Sequence, residues 1–431
     1  MTKSEINKTN PMLPELPQSP ESRYELAVQT LRTALQFGIE ASIEGMYALM
    51  EFMGNPQKKY PSIQIAGTNG KSSTARFTAA ILKASGYSTG LYTSPELIEY
   101  PERMELNGRV ISHEMFANVI LDTYQSALEA IQNGVIASIT EFEILTAAAF
   151  KLFADQGLDY AVLEVGLGGR WDATSVVQPQ VAVVTGIGLD HIDILGDTLE
   201  AIAKEKAAII KEGSLAILGP GTEETRQVFL DQCQKVGSSY KIIETPDVKD
   251  HFLYPGPGYQ QINIAVARAA VEAALGRPVK RDTVQAALDG LVVPGRFEVI
   301  RQDPLLMIDA THNPQSACFL RDALIERYDP IPFKTLLLGI LTDKDAGGII
   351  EVLTPLFENL AVTRSSSLRA MSPEDLAALV KRIDGRNPVI YPDVTSALSD
   401  LSERGETTLA TGSITLAGEV KASVEPLLHC N

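Results

Sequence analysis

The sequence predicts an α/β protein in two parts: a mostly parallel sheet entered through a P-loop-type turn, then a smaller, Rossmann-like open α/β sheet. Three observations lead there. The chain has 431 residues, 45% of them hydrophobic, which is too much for one ordinary core and suits two. From Ser62 onward, short apolar runs alternate with longer helical patterns, as parallel strands covered on both faces by helices require. After Pro294-Gly295 a second, shorter series of the same kind begins.

Taken in order, Met1 to Arg23 is polar and carries Pro11, Pro14, Pro17 and Pro20. No apolar stretch there is long enough for a signal peptide or a membrane span, so residues 1–23 are expected to be a flexible leader. The first part, 24–293, offers strands at Ser62 to Ala66, Thr89 to Thr93, Tyr160 to Val165, Val181 to Thr185 and Leu215 to Leu218. Helical patterns lie between them at Lys71 to Ser85, Phe142 to Ala154 and Leu199 to Ile210. The second part, 294–431, offers strands at Leu305 to Asp309, Thr335 to Ile340, Leu360 to Thr363, Val389 to Tyr391 and Thr408 to Thr411. Neither part contains a low-complexity tract or a repeat of solenoid period.

Charge narrows the partners. Lys and Arg number 37 against 54 Asp and Glu, a formal net charge of −17. Phosphate backbones and anionic membranes reward clustered cations, so neither nucleic acid nor a membrane is expected. Cys233, Cys318 and Cys430 stand far apart, without metal-ligand spacing or a disulfide framework, which fits a reducing cytoplasm.

Four segments carry chemistry. In Ala66-Gly67-Thr68-Asn69-Gly70-Lys71-Ser72-Ser73 a glycine-bracketed loop joins an apolar strand to an amphipathic helix. The N–H groups of such a loop converge on an anion, the helix adds its positive end, and Lys71 adds a point charge near the outer phosphates. Gly67 stands only three residues before Gly70, closer than the general G-x-x-x-x-G-K-[ST] spacing. The segment is either a shortened phosphate loop or a glycine turn that merely connects strand and helix.

The strand Tyr160-Ala161-Val162-Leu163 ends in Glu164, then Val165-Gly166-Leu167-Gly168-Gly169-Arg170. A carboxylate at the carboxyl end of a central parallel strand points into the ligand crevice and suits magnesium on nucleotide phosphates; a pair with Arg170 is the plainer alternative. Val181 to Thr185 runs into Gly186-Ile187-Gly188-Leu189-Asp190-His191, which makes His191 either a second metal ligand or a satisfied structural histidine. Ile202, Lys206, Ile209 and Gly213 share one helical stripe, so Lys206 interrupts an apolar face. Such a lysine either snorkels to solvent or, as a neutral amine, captures CO₂ to give a carbamate ligand for magnesium.

Together these segments resemble the Mur ligase superfamily, specifically its folylpolyglutamate synthase/dihydrofolate synthase branch, over nearly the whole chain after residue 60. Gly67-Thr68-Asn69-Gly70-Lys71 resembles that superfamily's short phosphate loop, with Ser72 a departure from the branch's usual glycine. Thr93-Ser94-Pro95, Glu102-Arg103 and Asn107-Gly108 resemble its Thr-Ser-Pro-His-Leu segment and sequel, with Glu96 where histidine is common. Leu163 to Thr174 is very similar to the branch's Leu-Glu-Val-Gly-Leu-Gly-Gly-Arg-Leu-Asp-Ala-Thr and is the most specific signature in the chain. Gly188 to His191, Leu195 to Thr198 and Glu205-Lys206-Ala207 follow the same order and spacing. Among the motifs grouped with the second part, Gln260 and Asn263 resemble a His-Gln-x-x-Asn helix start. Pro294-Gly295-Arg296 resembles the Pro-Gly-Arg between domains, and Asp309 to Pro314 resembles Asp-Gly-Ala-His-Asn-Pro, with Ala310-Thr311 as its changed middle pair.

The resemblance implies Mur ligase central and C-terminal domains and an ATP-dependent amide ligase. The enzyme would add L-glutamate to dihydropteroate, to the γ-carboxylate of a folate, or to both, through an acyl phosphate. It implies ATP and Mg²⁺, the metal on Ser94, Glu164, His191 and a carbamylated Lys206. Nucleotide contacts would come from Gly67, Thr68, Asn69, Gly70, Lys71, Ser72, Ser73, Asn263, Arg296 and Asp309. Lys71, Lys206, His191, Arg296 and His312 would serve catalysis in a monomeric cytoplasmic enzyme whose two parts close on the substrates. Another Mur-type ligase acting on a different carboxylic acid, and a scaffold that keeps the fold without the chemistry, are the competing readings. Asp343-Lys344-Asp345 and Thr411-Gly412-Ser413 also resemble family loops, with no role assigned.

Overall fold

The structure is a computed structural model and describes residues 17, 19–34, 43–244 and 251–428. Strands β1 (Ser62–Ala66), β2 (Thr89–Tyr92), β3 (Met104–Leu106), β4 (Arg109–Val110), β5 (Tyr160–Glu164), β6 (Val181–Gly186), β7 (Leu215–Gly221) and β8 (Ser239–Ile242) form one sheet, ordered β4-β3-β2-β5-β1-β6-β7-β8. The run from β2 to β8 is parallel, and β3 and β4 add an antiparallel edge. Its central strands are buried on both faces, which is why β5 and β6 read as largely apolar runs, while in β1 the buried Gln64 is accommodated by donating to Thr174 Oγ1 and Ser175 Oγ at 3.0 Å. Ile63, Ile65, Val162 and Val183 pack in one core with Phe77 and Ile81 of the Lys71–Ala84 helix, whereas Ala161 and Leu163 face another core on the opposite side.

Strands β9 (Glu298–Gln302), β10 (Leu305–Asp309), β11 (Thr335–Leu338), β12 (Asn359–Val362), β13 (Val389–Ile390) and β14 (Thr408–Thr411) form a second sheet, ordered β13-β12-β11-β14-β10-β9. Only β9 runs antiparallel. Met307, Leu336, Leu338 and Leu409 lie in the core on one face, and Ile308, Leu337 and Ala410 in the core on the other.

Several expectations need correction. Residues 1–16 and 18 lie outside the described residues, but the expected leader does not extend to Arg23. A helix spans Pro20–Ala34, opens on a proline that suits a first helical turn, and buries Ala27 and Leu31 against the His113–Gln132 helix. The edge strands β4, β8 and β9, and the three-residue β3 beside β4, do not stand out in the sequence because they lack a long apolar run; both residues of β4 are exposed. The Tyr259–Leu275 helix, with Gln260 and Asn263, packs on the Lys71–Ala84 helix of the first sheet rather than with the second half's motifs. No helix among the described residues is long and apolar enough to cross a membrane.

Candidate active site

The carboxyl ends of β1, β5 and β6 face those of β10, β11 and β14 across one cleft of about 380 Å³. Every candidate residue named from the sequence lines it.

The phosphate loop lies between β1 and the Lys71–Ala84 helix. Gly67 passes so close to β6 that an added Cβ would stand 1.9 Å from Thr185 Oγ1, and Gly70 caps the helix at a φ of 83°. Thr68 N donates to Gly186 O at 2.8 Å, Thr68 Oγ1 donates to Gly188 O at 3.0 Å, and Thr185 Oγ1 donates to Asn69 O at 2.7 Å. Lys71 Nζ donates to Gly67 O and Thr68 O, both at 3.1 Å, so the ammonium stands over the loop. Burial lowers its pKa, opposed by the carboxylates of Glu164 and Asp190. This is the arrangement of a shortened phosphate loop, with a helix start, a cation and a glycine cradle meeting at one point.

Beside it stands the candidate metal set. Glu164 is buried; its Oε1 accepts from Ser72 Oγ at 2.8 Å and its Oε2 from Ser94 N at 3.3 Å. Burial raises its pKa, with Lys71 and those two donors pulling the other way. Arg170 pairs instead with Glu205, at 3.0 Å, so the plainer reading of Glu164 as Arg170's partner does not hold. Ser94 Oγ is buried without a hydrogen-bond partner, an oxygen with an unused lone pair beside a carboxylate.

Lys206 is 5% exposed on the stripe it shares with Ile202 and Ile209. It does not snorkel. Its ammonium has no hydrogen-bond or ion-pair partner among the described residues, and burial, aided by the charge of Lys71, pushes its pKa down to about 7. The chain reaches it so closely because Gly169 lacks a side chain; a Cβ there would stand 2.7 Å from Glu205 O and 3.2 Å from Lys206 Cα. His191 sits at a φ of 52° at the start of the Ile192–Leu195 helix. Burial, then the charge of Lys344 and Lys71, outweighs Asp190 and pushes the imidazole down to about 4, which leaves it neutral and able to act as a nitrogen ligand at pH 7. No group of three or more His, Cys, Asp and Glu stands together among the described residues. A site here therefore depends on the Ser94 hydroxyl and on Lys206 as well, and suits a hard cation that keeps several waters.

On the first-sheet wall of the cleft, Asn263 Nδ2 donates to Gln260 Oε1 at 2.8 Å and Gln260 Nε2 donates to Ser73 Oγ at 3.2 Å. Across the cleft, Asp309 is 3% exposed and already engaged: Phe297 N, Thr311 N and Thr311 Oγ1 donate to it at 2.8, 2.9 and 2.7 Å. Its carboxylate thus fixes the turn that presents Arg296, and Thr311 adds a hydroxyl donor to that turn. The Arg296 guanidinium itself has no hydrogen-bond or ion-pair partner among the described residues and lines the cleft.

Asp190 and Lys344, both outside the candidate set, form an ion pair that joins the halves. Asp190 Oδ1 accepts from Lys344 Nζ at 2.6 Å, and Asp190 Oδ2 lies 3.2 Å from His312 Nε2 and accepts from Asn313 Nδ2 at 3.4 Å. Burial alone would raise the Asp190 carboxyl; hydrogen bonds from His312 and Lys344 overturn that and hold it well below the usual carboxylate range. Both residues were visible in quoted motifs, but nothing in a one-dimensional string pairs positions 154 residues apart. Asp190→Asn should leave Lys344 buried opposite a neutral group and cost about 3 kcal/mol. Chemical denaturation measures it; a loss below about 0.5 kcal/mol would mean the pair is solvent-screened.

Comparison with known proteins agrees with this geometry. The family described as Mur ligase middle domain matches residues 65–239. A Mycobacterium tuberculosis dihydrofolate synthase/folylpolyglutamate synthase is 37% identical over 79% of this chain and 77% of its own, and one from Bacillus subtilis is 29% identical over 92% and 98%. The M. tuberculosis folylpolyglutamate synthase structure complexed with ADP superposes with a TM-score of 0.86 at 30% identity, covering 94% of this chain and 99% of that one. A bifunctional folylpolyglutamate synthase/dihydrofolate synthase structure with Mn, AMPPNP and L-glutamate bound gives 0.81 at 27% identity, over 95% and 100%.

Proposed function

The chain belongs to the folylpolyglutamate synthase/dihydrofolate synthase family, a branch of the Mur ligases, and from that membership we infer its reaction: ATP-dependent joining of L-glutamate to a pteroate or folate acid. The enzyme is a ligase that forms a C–N bond and uses ATP with a divalent metal. The acid's carboxylate oxygen takes the γ-phosphoryl group and ADP leaves; the glutamate amine then attacks the acyl carbon, and phosphate and a proton are released.

The observation that carries the reading is the set of unused polar groups in one cleft. Ser94 Oγ is buried without a partner and its backbone N–H bonds Glu164, while the Lys206 amine and the Arg296 guanidinium line the same cleft without a partner among the described residues. Unsatisfied buried groups are costly, so their concentration at one point favours a ligand that would satisfy them. Ser94, Glu164, His191 and a carbamylated Lys206 would hold magnesium, which when bound supplies charge neutralisation on the transferring phosphates. The protein's own part is positional. Loop N–H groups and Lys71 orient the phosphates, Arg296 approaches them from the second sheet, and Asp309 holds that arginine's turn. Lys344 and His312 bring the second sheet onto Asp190, which excludes water from the acyl phosphate.

A division into a central domain to residue 293 and a C-terminal domain from residue 294 is supported by the two sheets, which share no strand. Cys233 and Cys318 are unpaired, which supports a reducing cytoplasm; Cys430 lies outside the described residues. Because one chain supplies both walls of the cleft, a monomer suffices. The test is an assay with ATP, Mg²⁺, L-glutamate and either dihydropteroate or a reduced folate. Phosphate and a new amide should appear in equal amounts; ATP consumed without amide from either acid would move the assignment to a different carboxylic acid.

A further inference from the structure

Asn69, at the tip of the phosphate loop, has its whole carboxamide taken by the opposite half of the molecule. Its Nδ2 donates to Gln315 Oε1 at 2.8 Å, and its Oδ1 accepts from Asn313 Nδ2 at 3.2 Å. Gln315 and Asn313 open the Pro314–Arg327 helix, which follows β10 of the second sheet, whereas Asn69 follows β1 of the first.

A third position makes room for the contact. A Cβ on Gly188 would stand 2.2 Å from Gln315 Oε1 and 3.0 Å from its Cδ, so the Gln315 carboxamide fills the space that this glycine leaves. Gly188 is in turn tied to the loop, since Gly188 N donates to Thr68 Oγ1 and Thr68 Oγ1 to Gly188 O, both at 3.0 Å. Gln315 is therefore wedged between two segments that are themselves zipped together, the phosphate loop and the turn that carries Asp190 and His191. The Asp190 contact with Lys344 and His312 holds the halves in register by charge; Gln315 adds a neutral, directional contact that reaches the loop itself.

We propose that Gln315 is a positioning residue that acts through Asn69, making the reactive geometry of the phosphate loop depend on docking of the second sheet. The inference rests on the ligase reading above. When the halves separate, Asn69 loses both partners and the loop relaxes, so nucleotide can bind the first sheet without being aligned for transfer. ATP is then spared until the half that carries Arg296 and Lys344 is in place. The contact is partly solvent-exposed, so its effect is on alignment rather than on folding.

Gln315→Ala removes the wedge, and Gly188→Ala expels it while leaving Gln315 in the chain. The clash of the latter falls on the end of a flexible side chain, so the fold is retained. Each variant should lower kcat for amide formation by roughly tenfold and leave the KM for ATP within about threefold, because the contact supports alignment more than ground-state binding. The double variant should be no slower than the slower single variant, since both changes break one interaction. A merely structural role would not lower kcat at an unchanged KM for ATP and an unchanged Tm, which is the readout that separates the two. Gln315→Ala with kcat within about twofold of the parent, or losses that multiply in the double variant, overturns the proposal. Should the parent form no amide under the same conditions, it is the ligase reading that fails.

Discussion

Lys206→Ala is expected to lower ligation by on the order of 10³-fold, as loss of a group that organises the charge on the transferring phosphate should. Acetate is expected to restore part of the activity. The physical case is the state of the parent side chain. It is 5% exposed, has no partner among the described residues, and is held by burial at a pKa of about 7 against the ordinary 10.5. A neutral amine reacts with CO₂ to give a carbamate and a proton, so its yield rises as pH climbs through about 7 and falls below it. The stability term has the same sign. Between pH 10.5 and about 7 the unfolded chain holds a proton here that the folded chain does not, so an unmodified Lys206 lowers folding stability progressively as pH falls across that window. Mass spectrometry under native conditions at pH 8, and activity at pH 6 and 8 with and without bicarbonate, check the chemistry. An alanine variant as active as the parent, with no bicarbonate effect on either, removes the carbamate from the mechanism.

The second large effect belongs to Lys71. Replacement by alanine should reduce kcat/KM for ATP by about 10³-fold or more, because a fixed cation at the outer phosphates is withdrawn from a low-dielectric cleft. Lys71 also ties Gly67 O and Thr68 O at 3.1 Å, so part of the loss is loop disorder. Lys71→Arg separates the two. Its fork retains charge but does not reach the same carbonyls with the geometry of a compact ammonium, and it should recover nucleotide binding without recovering turnover. Equal turnover in parent and alanine variants would show that the phosphates meet their charge elsewhere, with Arg296 the alternative source.

Legibility in the sequence followed burial. β5, β6 and β10 were readable because a strand covered on both faces is apolar along most of its length, and their polar ends announced the cleft. Glu164 was readable for the same reason: a carboxylate closing an apolar run is costly unless it is used. β4 and β9 were not readable, since edge strands only partly covered carry no period that separates them from loop, and β3, buried between β2 and β4, is too short to show one. The Pro20–Ala34 helix was hidden behind a proline-rich composition, although its last proline is the residue that starts it.

Some roles shifted once the fold was in hand. Asp309 appears in a motif whose resemblance implies nucleotide contact, yet its oxygens are occupied by Phe297 N and by Thr311, so its first task is to hold the Arg296 turn. His191 adopts a left-handed conformation that its residue type tolerates but does not announce.

By itself the sequence determined two parallel α/β sheets, a shortened phosphate loop, and which residue types stand at strand ends, because backbone hydrogen bonding and apolar burial act over a few consecutive residues. Only the tertiary structure decided that Asp190 meets Lys344, that Asn69 is held by Gln315 and Asn313, and that Lys206 is buried without a partner. Those contacts join positions 154 to 246 residues apart, and directional contacts of that kind leave no periodic trace along a chain.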